Sequence, residues 1–498
     1  MKTKTFMTAS LGFAAWLLLL LTVSCGETAQ TPSADTSGAS PASPETAASA
    51  ETEPAAVTKD GSGTDVSSLP ADLDFGGAEL RIRTMVDPNV HSYADVSEES
   101  GDVLDDAIYR RNRAVEEGLH LQIAEDLEAQ GDIRRLLLSG DETYTLCSVT
   151  CPDALTYWIE GLILETNSLP YVDLTKNYYA QKLNRSISLK GKNYVALGAF
   201  DVNVYDLTYA LTFNKGLVAS FDLEDPYTLV GSGAWTIEKM DAMMRTVLAD
   251  VDGDGAMTDK DRYGYLANAK MVLPDFWIAA GVKTIEKDPS DIPVPGVMND
   301  RFVRLFDRVY DVMWDSGNWF SWTTSGLDVP EECITVFSEN RGLFLDMSFF
   351  YIEALRGMDV DFGVIPYPKF DETQEDYNSR VSYYWAYVVP NVVSDPGMAG
   401  AFLEEANRLS AEYVIPAYCD IALKGKYSRD EESVAMLDLI LDSRVVDLGD
   451  TVFCDKIRDG FMYTLFRSGK RDLSSEYAKN ESVILRAIEG ITENASEK

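Results

Sequence analysis

The body of this chain is expected to be an α/β fold, and two observations predict it. From residue 73 onward, short segments with period-two alternation trade places with stretches whose apolar positions recur at helical spacing. Hydrophobic residues also make up 46% of the 498 residues and aromatics 11%, enough for a packed core despite a formal net charge of −38. Length alone suggests roughly two to four domains.

The N-terminus reads as an address. Lys2 and Lys4 precede an apolar run centred on Ala14–Leu21, too short for a comfortable transmembrane span of about 20 residues. The run ends at Leu21-Thr22-Val23-Ser24-Cys25-Gly26, which resembles a bacterial lipobox and implies cleavage before Cys25 and lipidation of its thiol. Residues 1–24 are therefore expected to be a lipoprotein signal peptide. Residues 25–70 are rich in Ala, Ser, Thr, Pro, Glu and Gly, with too little apolar surface to fold, and read as a solvated tether. Anchor and tether would place the rest at the extracellular face of a cell membrane.

The elements then follow in order. Ala78–Met85 alternates with period two after Phe75-Gly76-Gly77 and reads as a strand. Residues 102–117 carry Val103, Leu104, Ile108, Ala114 and Val115 at helical spacing, with acids early and Arg110, Arg111 and Arg113 later, as the helix dipole favours. Residues 119–123 alternate again, placing His120 inside a strand. A helix over 133–138, a strand over 144–149 and a helix over 154–164 come next. Repeated strand–helix alternation predicts parallel βαβ units. Leu207–Phe213 is a further strand, and Thr236 is the expected N-cap of a helix that runs on through Met240–Leu248. Residues 361–368 form a short strand ended by prolines, residues 383–390 a longer one, and the C-terminal third is mostly helical.

Charge and composition exclude several functions. Phosphate backbones must be neutralised by clustered Lys and Arg, and no such cluster is visible in the sequence, so nucleic acid is not an expected partner. Attraction to an anionic membrane surface is equally unexpected. Two histidines, His91 and His120, make poor material for a His-rich zinc site or a His-based triad. Cys147, Cys151, Cys333, Cys419 and Cys454 are odd in number and scattered, which points to buried inert thiols rather than a disulfide framework.

Several segments together resemble the extracellular solute-binding proteins (family 1) of carbohydrate ABC importers. They are Phe75-Gly76-Gly77, Tyr209-Ala210-Leu211-Thr212-Phe213-Asn214-Lys215, Gly233-Ala234-Trp235-Thr236-Ile237, Asn340-Arg341-Gly342-Leu343-Phe344-Leu345, and Phe362-Gly363-Val364-Ile365-Pro366-Tyr367-Pro368-Lys369. The likeness spans about residues 73–480 and rests on order and spacing. It implies the type II periplasmic-binding-protein fold, two α/β lobes joined by a hinge of two or three crossing strands. Approximate lobes would be 71–202 with 375–410, and 203–374 with 411–498. It further implies capture of a sugar or oligosaccharide without turnover, an ABC permease as partner, and a monomeric receptor.

One segment departs from that family. Asp250–Asp261 has the spacing of a calcium loop: Asp250, Asp252 and Asp254 at positions 1, 3 and 5, Gly255 at the sharp turn, the Ala256 carbonyl at 7, Thr258 at 9 and Asp261 at 12, where Glu is usual. A structural Ca²⁺ is the expected cofactor; an acidic turn whose aspartates cap the next helix is the alternative.

Sugar rings offer flat C–H faces to Trp and Tyr, while Asp, Asn and Arg read hydroxyls. The candidate ligand residues are Trp158, Asp201, Asn203, Tyr205, Trp277, Trp319, Trp322, Phe349, Tyr384 and Trp385. Any single aromatic among them could equally be core, and Asp201 and Asn203 could be turn residues. Trp235 is assigned to helix packing. A surface lipoprotein with glycoside hydrolase activity is the runner-up, and a binding protein for a peptide or modified sugar a third reading. Eighty-one acids always supply some carboxylate pair, so their abundance favours no hydrolase.

Overall fold

The computed structural model describes residues 64–494, apart from 68, 89, 92–93, 129–132, 323–330, 360 and 424–430. The signal peptide, Cys25 and nearly all of the tether lie outside the described residues. Among the described residues no helix is long and apolar enough to cross a membrane.

The strands in chain order are β1 (Ala78–Met85), β2 (Leu121–Glu128), β3 (Leu146–Thr150), β4 (Tyr209–Asn214), β5 (Tyr263–Asn268), β6 (Ile285–Lys287), β7 (Pro293–Pro295), β8 (Trp319–Trp322), β9 (Gly342–Ser348), β10 (Phe362–Ile365), β11 (Ser379–Arg380), β12 (Trp385–Val388) and β13 (Arg444–Val445). Two sheets organise two α/β lobes. The first has order β12-β3-β1-β2, the second β10-β4-β9-β5-β8.

Both sheets are mixed rather than purely parallel. β1 pairs in parallel with β2 and β3, and β5 with β8 and β9, as strand–helix alternation predicts. β4, β10 and β12 run antiparallel to their neighbours. The topology explains the exceptions. β4 enters the second lobe from the first, and β12 enters the first from the second. A strand arriving at the edge where its parallel neighbours end must run away from that edge. Such an exchange of strands between lobes leaves no local mark in the sequence.

Local chemistry sets the element ends. Gly76 and Gly77 have φ of 65° and 79°, a region open to glycine, and Phe75 N and Gly77 N bond the carbonyls of Leu119 and His120. Asp102 caps the helix Val103–Leu119 by accepting from Leu104 N and Asp105 N. His120 is not inside a strand: it is the left-handed C-cap of that helix, at φ 49°, and its exposed ring meets Asp74 at 2.8 Å. Thr236 caps Ile237–Val247 as expected, accepting from Lys239 N. Trp235 is fully buried, donating to Pro366 O at 3.0 Å and packing on Phe344. The five described cysteines are buried free thiols, and burial pushes Cys147 up to about 12.

The lobes are joined where three segments run side by side. Thr208 and Val381 form an antiparallel bridge, and β11 pairs in parallel with β13. Ser382 N donates to Leu207 O, and Val381 N to Val445 O, each at 3.0 Å. One buried arginine fills this crossing. Arg380 donates to Asp450 from Nε at 2.7 Å and Nη2 at 2.9 Å, to Asp275 from Nη1 at 3.1 Å, and stands 4.5 Å over the Tyr209 ring. Arg458 adds a second cation, donating to Asp450 Oδ1 at 3.3 Å. Removing one partner of a buried pair strands the other charge. Arg380→Met is therefore expected to lower stability by about 3–5 kcal/mol, measured by denaturant unfolding; a loss below about 1 kcal/mol would show that the crossing does not depend on this network.

Candidate ligand cleft

In open α/β sheets ligands bind outside the carboxyl ends of the strands. In the first lobe those ends are Met85, Glu128 and Thr150; in the second they are Asn268, Trp322 and Ser348. Pairing of Tyr209 with Ser348, and of Trp385 with Thr150, places the start of each crossing strand beside one of these ends. Both sheets therefore direct their carboxyl edges toward the crossing.

The short helix Val202–Asp206, just before the first crossing, pins the surrounding groups. Asn203 Oδ1 accepts from Trp385 N at 3.1 Å, fixing the start of β12. Asp206, one turn later, accepts from His91 N at 2.6 Å, from His91 Nδ1 at 2.9 Å and from Tyr418 OH at 2.8 Å. His91 comes from the loop after β1, and Tyr418 from the helix Ile415–Leu423. The Asp206 carboxylate is closed off, with 1% of its side chain exposed, whereas the His91 side chain is 33% exposed. A buried carboxyl group accepting from three donors is a brace: it fixes the imidazole at the crossing.

Aromatic rings follow from His91 into the second lobe. Its ring lies edge-on to Phe350 at 5.7 Å, and Phe350 to Tyr351 at 5.3 Å. Both residues are half-buried in the turn of helix after β9. On the first lobe, half-buried Tyr383 and Trp385 meet edge-on at 5.9 Å, and the buried Trp385 Nε1 has no hydrogen-bond partner among the described residues. Ring faces and an imidazole from both lobes, at the carboxyl ends of both sheets, suit the C–H faces and hydroxyls of a sugar.

The sequence-derived candidates are distributed unevenly over this architecture. Asn203, Tyr205 and Trp385 lie at the crossing, and Phe349 precedes the half-buried Phe350 but is itself buried. Tyr205 stacks under Arg444 at 4.1 Å and touches Tyr418. Tyr384 is fully buried. Trp158 is buried against Tyr194 at 5.8 Å, and Trp277 against Phe302 at 6.1 Å, so neither presents a face to the cleft. Trp319 packs on Trp314 and Phe466. Trp322 ends β8, and its side chain is outside the described residues. Asp201 is buried and accepts from Gly198 N at 3.0 Å, a structural position. Among the residues that sequence reasoning missed are His91, Asp206, Phe350, Tyr383 and Tyr418. Only the Phe349-Phe350-Tyr351 run at a strand end could have signalled the third.

In the Asp250–Asp261 loop, carboxylate oxygens of Asp250, Asp252 and Asp254 lie within 4.8 Å of one another. Asp250 also accepts from Gly253 N and Gly255 N, closing the turn. Asp261 is used differently from the expected twelfth ligand. It is buried, Oδ1 accepting from Val251 N and Oδ2 from Thr258 N, each at 2.7 Å, so it braces the loop from beneath. The Thr258 hydroxyl also leans on Asp261 Oδ2, at 3.3 Å, and the Thr258 carbonyl accepts from Tyr263 OH. Ala256 N donates to Asp254 Oδ1 at 2.8 Å.

No protein-family model matches the sequence, and no curated protein matches it. Solved structures do match. The sugar-binding protein MalE from the phytopathogen Xanthomonas citri superposes with a TM-score of 0.57 at 13% identity, covering 84% of this chain and 98% of that one. The extracellular solute-binding protein from Staphylococcus aureus in complex with maltose gives 0.57 at 13%, covering 82% and 98%. A cyclo/maltodextrin-binding protein complexed with maltotetraose gives 0.57 at 13%, covering 83% and 97%. At this identity the likeness carries the fold: two lobes joined by a hinge, as in maltose-binding proteins.

Burial raises the Asp201 carboxyl to about 7. Its folded pKa lies above the unfolded value, so the penalty is absent below about pH 4, grows between pH 4 and 7, and is complete above 7. Asp201→Asn, which keeps an acceptor for Gly198 N, is expected to gain stability on the order of a few kcal/mol at pH 8. The gain should fade toward pH 4 in melting curves across that range; a gain independent of pH would place the cause elsewhere.

Proposed function

We propose that the protein captures a sugar or oligosaccharide between its two lobes and presents it to an ABC importer, held at the outer face of the cell membrane through lipid on Cys25. The observation that carries this reading is the convergence at the crossing: His91 braced by Asp206, Phe350 and Tyr351 from the second lobe, and Tyr383 with Trp385 from the first. The maltose- and maltodextrin-complexed proteins of the same fold support the ligand class. A permease follows from the family the sequence resembles, and the anchor from the sequence at Cys25. The reading is of recognition rather than turnover: Asp206, the carboxylate at the convergence, is occupied by three donors and closed to water, a poor state for a general acid or base.

The second part of the reading is a structural Ca²⁺ held by Asp250, Asp252 and Asp254, with the Ala256 carbonyl and Thr258 completing the oxygen set and Asp261 bracing the loop from beneath. Three exposed carboxylates in one turn repel one another, and a hard cation of oxygen preference would offset that repulsion.

Titration calorimetry against a panel of maltodextrins and other oligosaccharides tests the first part. Saturable heat without new reducing ends is expected, and Phe350→Ala should weaken affinity by about tenfold or more through lost stacking. Absence of heat with every sugar would sink the ligand class, and released reducing ends would favour a hydrolase. For calcium, a chelator should lower the melting temperature, and Asp252→Ala should remove that response; identical melting curves with and without chelator would refute the metal.

A further inference from the structure

On a chain with net charge −38, one recess is basic. It has a volume of about 370 Å³ and is lined by Lys182, Arg185, Ser186, Lys283, Glu286 and Lys287. Four cations face one acid. Two of the four are engaged: Lys182 Nζ donates to Asp442 O at 2.9 Å, and Lys287 pairs with Asp291 at 2.9 Å. The Arg185 guanidinium and the Lys283 ammonium have no counter-ion among the described residues.

The two walls come from different lobes. Lys182, Arg185 and Ser186 lie on the helix Gln181–Ile187, before the first crossing, and Lys283, Glu286 and Lys287 lie on or beside β6, after it. Hydrogen bonds pin the walls together below the recess. Lys287 Nζ donates to Arg185 O at 2.8 Å and Ser188 Oγ at 3.1 Å, and Asp291 accepts from Ser188 Oγ at 2.8 Å and Gly191 N at 2.9 Å. The two unpaired cations therefore line one recess from opposite walls, with Glu286 the one acid in its lining. Burial, with the like charge of Lys283 beside it, holds the Lys287 ammonium below the ordinary lysine value.

We propose that this recess binds a compact multivalent oxyanion, of the phosphate class, bridged between Arg185 of the first lobe and Lys283 of the second, with Lys182 contributing from the rim. Arg185 supplies a planar fork matched to an oxyanion and Lys283 a point charge. Glu286 disfavours a lone weak anion such as chloride and leaves the site to one with enough charge to outweigh it.

Inorganic phosphate titrated into the full chain at constant ionic strength, made up with potassium chloride, tests this by calorimetry and ³¹P line broadening. Saturable binding is expected for the wild type and for Lys470→Gln, an exposed cation elsewhere. The double variant Arg185→Gln/Lys283→Gln should bind about tenfold more weakly or not at all. Retained binding in that variant, equal loss in Lys470→Gln, or a response reproduced by chloride alone would each overturn the proposal. Arg185→Lys/Lys283→Arg, which keeps both charges, should retain phosphate binding, and its failure to do so in a folded protein would also count against the site.

Discussion

The arrangement of the whole molecule depends on one buried arginine. Arg380 sits on a strand of two residues, in a crossing whose backbone hydrogen bonds are few, and it ties three distant parts of the chain together: Asp275 in the second lobe, Asp450 in the C-terminal segment and the ring of Tyr209 at the start of β4. Burial works against its charge, but Asp450 and Asp275 more than offset that and raise its pKa. The cost falls on the acids. Burial and the neighbouring Asp346 push Asp275 well above the usual carboxylate range. Such a network adds little net stability compared with apolar packing, but it penalises every other packing of the same segments. At the junction between two lobes, where few backbone hydrogen bonds set the register, that specificity is the useful property.

The cleft depends on the crossing in turn. Five residues of helix, Val202–Asp206, carry an amide that fixes β12 and a carboxylate that fixes His91. The groups that face the opening are thus set by the same turn of chain that leads into the hinge.

How far the sequence revealed this follows from how local each signal is. The cap at Thr236 and the acidic loop at Asp250 are written within a few residues, and both were legible; the cap at Asp102 and the Gly76-Gly77 turn are just as local. Whether Trp158 or Trp277 faces a ligand or a core is decided by tertiary neighbours such as Tyr194 and Phe302, which no local pattern names. Asp206 was illegible for another reason. In a chain with 81 acids a single aspartate carries no mark, and its partners His91 and Tyr418 lie 115 and 212 positions away. The mixed strand directions escaped the reading because antiparallel pairing here results from a strand changing lobes.

The exchange of β12 has a bearing on how the chain can be made. The first lobe's sheet has its β1, β2 and β3 early in the sequence, but its edge strand arrives only after all five strands of the second lobe's sheet have been synthesised. Until then Thr150 and its neighbours on β3 present an unpaired, apolar edge, the kind of surface that invites intermolecular pairing. The second lobe's five sheet strands all lie between the two crossings, so that sheet meets no such delay. Completion of the two sheets is thus ordered by connectivity: the later sheet can close first, and the earlier one waits for a strand delivered through the hinge.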